Sequence, residues 1–429
     1  MSRGGRKDTV TRPDFSVRSS LFQGNGWWLA SVTLLVIVAG MAYCVWWPSL
    51  VGYTTLPHST NFWDEPIDMW VTVKASHDIA DGLISYIYSN SRPPVTLPGF
   101  AVVLTPFVML ATALHLSQSF QLGPAIFWIP HPTALLLLGP IMMACAGVAL
   151  VGFDSLAAIL GVSRTRRRML SVLEAAALAP TIVFWGHPED VVAMGLCAFA
   201  TAVSIRNPRS YAIGWLLGAA IAFQLWAIFV LPVIVGFVGV RRSWGILGRA
   251  AILPGAIFLV MLIPNPGPTF RALTEQITYR GGFLHTTPWV ALSPTVRGGV
   301  AGGPPRVLGA AAAIGIGIVA SRFRDRPLGI VWLCGLALAA RCIFEPVMLS
   351  YYLGPTVGYA LVAASSRTHL RWLVVSCLGG GVLLQTYAHL NMWTYWLAML
   401  GLVAAMYGVA WPSRGSFEMR TDSSLALSD

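Results

Sequence analysis

Long apolar runs alternate with short polar connections along almost the whole chain. They fall near 26–47, 98–116, 133–151, 153–162, 168–185, 190–205, 211–222, 224–239, 250–264, 306–321, 328–341, 347–364, 371–388 and 393–411. About 20 apolar residues cross a bilayer core as an α-helix. In that core only helices and closed barrels satisfy their own backbone hydrogen bonds. The pattern predicts an all-α, polytopic integral membrane protein with about 11–13 membrane-embedded helices. Several runs are shorter than about 17 residues, so those helices are expected to be tilted, broken or re-entrant. Two longer polar stretches, 48–97 and 265–305, interrupt the series. In the first, Met69, Trp70, Val73, Ala80, Leu83 and Ile84 gather on one stripe after Asp68, which predicts an amphipathic helix lying flat on the membrane surface.

Composition narrows the class. Of 429 residues 56% are apolar and only 10% charged, against about 25% charged in soluble domains. A water-soluble fold is excluded. The six cysteines lie in apolar stretches without metal-ligand spacing, and they read as small buried hydrophobes. No P-loop, dinucleotide fingerprint or serine-hydrolase signature occurs in a credible context, so ATP and NAD are not expected.

The net charge of +11 is mainly a topology signal. One threading places 21 of the 28 basic residues on a single side: the five before the first run, then Arg164, Arg166, Arg167, Arg168, Arg206, Arg209, Arg241, Arg242, Arg249, Arg322, Arg324, Arg326, Arg367, Arg371, Arg414 and Arg420. The positive-inside rule makes that side cytoplasmic, with both termini there. The pair 211–222 and 224–239 must then dip in and return. No basic face alternates with aromatics in a soluble element, so nucleic acid is not an expected partner. The expected organisation is a basic cytoplasmic tail (1–25) without a cleaved signal peptide, a transmembrane domain (26–411), and a Ser-rich, disordered cytoplasmic tail (412–429).

Acidic residues do the reverse, and nine of the 17 fall on the outer side. Acids at a membrane interface are costly unless solvated or used. The first outer cluster is Asp64, Glu65 and Asp68. Asp64 and Asp68 are four apart and share a face if the helix reaches back that far. The second is Gly186-His187-Pro188-Glu189-Asp190, whose side chains can hold a metal, relay a proton or bind a polar substrate. Helix capping is an equally physical use of these acids. The third is Arg341 with Glu345 and Tyr351-Tyr352, either a structural ion pair or a bidentate phosphate holder. Arg271, Arg280, Arg297 and Arg306 are further phosphate candidates in the loop 265–305, beside His285 and Trp289, which can stack on a sugar. Asp154 and Glu174 lie inside apolar runs, where they are expected to snorkel to an interface or to pair with each other.

In order and spacing these motifs resemble the glycosyltransferase-C superfamily, multi-span enzymes that use polyprenyl-phosphate sugars. The nearest likeness is to the branch containing actinobacterial mannosyl- and arabinofuranosyltransferases. Asp68 stands after the first run and 14 residues before Gly82, with Tyr86 and Tyr88 following. Then come Pro93-Pro94, Leu97-Pro98-Gly99 and Thr105-Pro106-Phe107. A second stretch, Gly214-Trp-Leu-Leu-Gly218, Gln224-Leu-Trp226 and Leu231-Pro232, is similar in pattern, with Gln224 where a lysine is common. The loop 186–190 is more acidic than the Gly-Gln-x-Asn of relatives. The likeness covers roughly residues 26–364.

The resemblance implies an inverting transfer of mannose or arabinofuranose from a polyprenyl phosphate to a glycolipid or polysaccharide, at the outer face of a bacterial plasma membrane. It makes Asp68 the expected general base, with Asp64 second. Arg341, Arg280 and Lys74 are expected to hold the donor phosphate. Glu65, His187, Glu189, Asp190, Gln224, Glu345 and Tyr352 are expected to line the substrate site. The chemistry requires no cofactor and leaves room for a divalent metal. A transporter or lipid flippase, and a non-catalytic partner in envelope glycan assembly, are the competing expectations.

Overall fold

The structure, a computed structural model, describes residues 25–50, 67–89, 94, 96–118, 133–275, 286–292, 295–296, 299–300, 304–384 and 391–412. Its helices are α1 (Gly26–Leu50), α2 (Ile67–Ala80), α3 (Gly99–Ala113), α4 (Leu135–Ala144), α5 (Ala146–Ile159), α6 (Arg164–Val183), α7 (Pro188–Arg206), α8 (Ala212–Phe223), α9 (Leu231–Val238), α10 (Val240–Leu262), α11 (Pro266–Glu275), α12 (Pro304–Ala320), α13 (Pro327–Ile343), α14 (Gly354–Ser365), α15 (His369–Leu384) and α16 (Met392–Val409). Among the described residues the strands amount to one two-residue hairpin, Thr295–Val296 against Gly299–Val300. Among the described residues six helices are long and apolar enough to cross a bilayer, and five shorter apolar helices accompany them. The protein is a multi-pass helical membrane protein.

Packing follows from lipid being the solvent. Large apolar side chains fill the interior, Trp70, Phe153 and Tyr359 among them, and others face outward. Leu34, Leu35, Ile314, Ile318 and Leu373 are all more than half exposed. Inside, α5 and α7 approach closely: a Cβ on Gly152 would lie 2.6 Å from the Gly195 carbonyl oxygen. Without a hydrophobic drive between helices in lipid, this small-residue contact is how two helices gain dispersion energy.

Several expectations change. The runs 133–151 and 153–162 are one crossing, Leu135–Ile159, with only a turn at Cys145. The helix expected from 250 begins at Val240, so Arg241, Arg242 and Arg249 belong to it rather than to a connection. The run 347–364 is split into a 3-10 turn (Ser350–Leu353) and α14. In α2 the stripe holds for Met69, Trp70 and Val73, which are buried. Ala80 and Leu83 are exposed, and Ala75 and Ser76 take their place because Ser76 Oγ bonds the Ala101 carbonyl of α3 at 3.0 Å. Cys377 is exposed on α15, and Cys145 is only half-buried.

The pair α8 and Leu225–Val238 meets at Gln224, whose extended backbone (φ −145°, ψ 119°) ends α8. Trp226 lies against Asp190, whereas the Gly236 carbonyl, ten residues on, accepts from Arg324. The two short helices thus run to the acidic end of the bundle and back. At the opposite end, of the two alternatives for Asp154, pairing with Glu174 is not the one taken. It accepts from Arg167 Nε at 2.8 Å, from Arg167 Nη2, and from Asn25 Nδ2 at 3.1 Å. Glu174 is buried nearby, with one carboxyl oxygen lacking a hydrogen-bond partner.

Candidate functional site

Four chain segments converge at the acidic end. Asp68 is the second residue of α2, where the helix dipole favours an acid. Gly186 has φ +71°, a left-handed backbone that a side chain would strain. It turns the chain out of α6 so that His187 caps α7 and Pro188 takes the first helical position. Glu189 and Asp190 complete that first turn. Trp226 comes from the turn after α8. Arg341 stands in the last turn of α13, with Glu345 four residues on and Tyr351 and Tyr352 in the following 3-10 turn.

His187 is the hub. Its Nε2 lies 3.2 Å from Asp68 Oδ2 and its Nδ1 lies 2.9 Å from Glu189 Oε1. The Tyr351 ring stacks on it (4.9 Å between centroids, 19° between planes), and the Tyr351 hydroxyl is 3.1 Å from Nε2. Burial opposes a charged ring here. The hydrogen bonds to Asp68 and Glu189 and the field of Glu189 and Asp190 outweigh it, and they hold His187 well above the ordinary imidazole range. Burial also pushes the Tyr351 hydroxyl up, with Tyr352, Asp190 and Asp68 adding to it, so it stays a neutral O–H.

Asp190 accepts from Trp226 Nε1. The oxygens of Glu189 and Asp190 with partners therefore face side chains of the cluster. The capping expectation does not account for them. Arg341 Nε lies 3.3 Å from Glu345 Oε1 and its guanidinium sits over the Tyr352 ring at 4.8 Å. Arg306 Nε reaches the other Glu345 oxygen at 3.5 Å. The segment 286–292 folds onto the same place: Thr287 Oγ1 donates to the Glu345 carbonyl at 2.6 Å and Thr287 N to that of Pro346 at 2.8 Å. Trp289 from this segment packs on Phe344 and Trp396 and is partly buried.

Of the residues singled out in the sequence, Asp68, His187, Glu189, Asp190, Arg341, Glu345 and Tyr352 are brought together. Gln224 is buried two residues before Trp226. Lys74 is not brought to Arg341. It is held by Asp78 of the same helix at 3.0 Å, because i and i+4 share a face. Asp64, Glu65, Arg280, His285 and Arg297 lie outside the described residues. Two participants escaped the sequence reading as site residues, Trp226 and Tyr351. Both stood inside motifs already noticed, and an indole or phenol buried in apolar surroundings needs a polar partner.

The side chain of Asp68 is 53% exposed, whereas those of His187 and Glu189 are 10% and 6% exposed and Asp190 is buried. The arrangement thus has an accessible carboxylate at its mouth and a buried polar floor behind it. A donor atom from each of His187, Glu189 and Asp190 lies within 4.8 Å of the others, close enough to share one cation. A cavity of about 500 Å3 lies elsewhere, between α1 and α5 at the arginine-rich end, lined by Leu29, Ala30, Leu34 and Val151 with Asn25 and Asp154. Asp68 is not among its lining residues. Compared with models of protein families, with curated proteins and with solved structures, the chain matches none.

Proposed function

We propose that the chain is a polyprenyl-phosphate-sugar-dependent glycosyltransferase. It transfers a sugar, mannose or arabinofuranose, to a glycolipid or glycan acceptor with inversion, on the non-cytoplasmic face of a bacterial plasma membrane. One observation carries the reading. Asp68, a half-exposed carboxylate just beyond the first crossing, is held by a buried His187, with Arg341 in the same cluster, at the end of the bundle away from the arginines.

In this reading α2 lies along the membrane surface. Asp68 Oδ2 is occupied by His187, and Oδ1 takes the proton of the acceptor hydroxyl. The hydroxyl oxygen attacks the anomeric carbon from the side opposite the phosphate. The carbon–oxygen bond to the phosphate breaks, and polyprenyl phosphate leaves with the electron pair. Arg341, fixed by Glu345 and Tyr352, stabilises that charge. Glu189 and Asp190 are held from below by His187 and Trp226. The isoprenoid chain stays in lipid, so the protein needs only to hold the headgroup.

The test is transfer from a polyprenyl-phosphate sugar in reconstituted vesicles. Asp68→Asn is expected to lower the rate by about 10²- to 10⁴-fold, the usual worth of a general base, with unchanged folding. Full activity in that variant ends the assignment.

Buried Glu174 in α6 favours a second reading, a transporter, because an ionisable group at membrane depth marks a transport path by default. Asp154 counts against it, since Arg167 and Asn25 fully engage it. Uptake or flipping of a lipid-linked sugar by vesicles, lost in Glu174→Gln and kept in Asp68→Asn, would favour the transporter.

A further inference from the structure

Four carboxylates meet in the acidic cluster: Asp68, Glu189, Asp190 and Glu345. Two guanidiniums, Arg341 and Arg306, face them. With His187 neutral, two negative charges are left over in a largely buried place, where charge is expensive unless paired. A proton on His187 removes one. A divalent cation removes both.

Position agrees with charge. Donor atoms of His187, Glu189 and Asp190 lie within 4.8 Å of one another. Independently, Glu189 Oε2 has no hydrogen-bond partner, although its side chain is only 6% exposed. A buried carboxylate oxygen left without a donor gives up its hydration with nothing in return. Metal coordination is one of the few ways to satisfy it in place. The surroundings match how ligands are held. A metal-bound imidazole ordinarily donates its far N–H to a carboxylate, and ligating carboxylates are themselves hydrogen-bonded. Here His187 Nε2 faces Asp68, and Trp226 Nε1 donates to Asp190.

We infer that His187 Nδ1, Glu189 and Asp190 form a divalent cation site. One imidazole with two carboxylates suits Zn2+ or Mn2+ and is a poor set for Ca2+ or Mg2+, which take oxygen ligands. Three protein ligands leave at least one coordination position for water or an oxygen anion arriving past Asp68. The metal takes the place of the proton now shared between Nδ1 and Glu189. The site adjoins the proposed base Asp68 through His187, but its ligands and its charge balance would be the same for any substrate, so cation binding can be tested without sugar transfer.

The experiment uses the purified full chain in detergent, stripped with a chelator and titrated with Mn2+ at about pH 8, where protons compete least. Expected is one bound Mn2+ per chain, displaced by Zn2+, with imidazole-nitrogen coupling in its electron spin-echo spectrum. That spectrum needs no variant. Glu189→Gln and Asp190→Asn, checked for folding by gel filtration, are expected to weaken binding by more than about tenfold, and Asp68→Asn by about tenfold through its effect on His187. No saturable Mn2+ binding, bound Mn2+ without nitrogen coupling, or equal affinity in Glu189→Gln overturns the site. No sugar transfer is measured, so this inference and the transferase reading fail separately.

Discussion

The bundle carries two buried ionic clusters, one at each end, and they are built on opposite principles. At the arginine-rich end both oxygens of Asp154 are satisfied, although one oxygen of the neighbouring Glu174 lacks a hydrogen-bond partner. Arg167 and Asn25 donate to it, and Arg164 in turn donates to Asn25 Oδ1 at 3.2 Å. That cluster ties the start of α1 to α5 and α6. Nearby, Arg166 Nη1 bonds the Ser365 carbonyl at 3.1 Å and pins the end of α14. At the acidic end carboxylates outnumber guanidiniums, an oxygen of Glu189 lacks a donor, and Asp68 stands half in solvent. A satisfied cluster fixes helices. An unsatisfied one, held rigid by Trp226 and Tyr351, is what a reaction or a cation can use.

Substitutions can break or sharpen this contrast. The largest effect expected is on rate, from Asp68→Asn as described above, with little change in thermal unfolding because that side chain is half exposed. Next is Arg167→Met, which strands the Asp154 carboxylate. It is expected to cost about 3–5 kcal/mol of stability, with transfer by the surviving folded protein unchanged. Adding Asp154→Leu to it should restore most of the loss, since removing a whole buried pair is close to neutral. If unfolding midpoints show no loss in the single variant, the arginine-end cluster is not a structural pin.

A smaller effect is expected from Arg341→Gln. Donor KM should rise by about tenfold or more, as for a lost hydrogen bond to a charged group, with acceptor KM little changed. Equal effects on both would make Arg341–Glu345 a structural ion pair like the one at the other end. Smallest is Lys74→Ala. It removes an i, i+4 pair with Asp78 worth at most about 0.5 kcal/mol, and both unfolding and transfer should stay near wild type. A large loss of donor affinity there would return Lys74 to the phosphate site.

Much of the fold was legible because lipid makes burial a one-dimensional property. A crossing helix must be apolar over its own length, so α1, α7, α12 and α16 could be read from hydropathy. The arginine pattern anticipated the two ends, since Arg164–Arg168 and Arg367 cluster opposite Glu189 and Glu345. Boundaries were harder where apolar residues continue through a break. The turn at Cys145 and the 3-10 segment at Ser350–Leu353 leave no trace in hydropathy. For Asp154 and Glu174 the sequence left two alternatives open, an interface or each other, because each sits alone in an apolar run. Arg167, outside that run, reaches in with a long flexible side chain.

The sequence by itself determined that the chain is a multi-pass helical membrane protein, that its charges are segregated, and that a few acids lie where acids are costly. Those properties depend on each segment's own exchange between water and lipid. Only the tertiary structure decided which acids meet. Asp68 and His187 are 119 residues apart, and Asp190 and Trp226 come together through the break at Gln224. Such pairings follow from how separate helices pack, and packing among helices that are all apolar is set by shape and small-residue contacts such as Gly152 on Gly195, which no local pattern encodes.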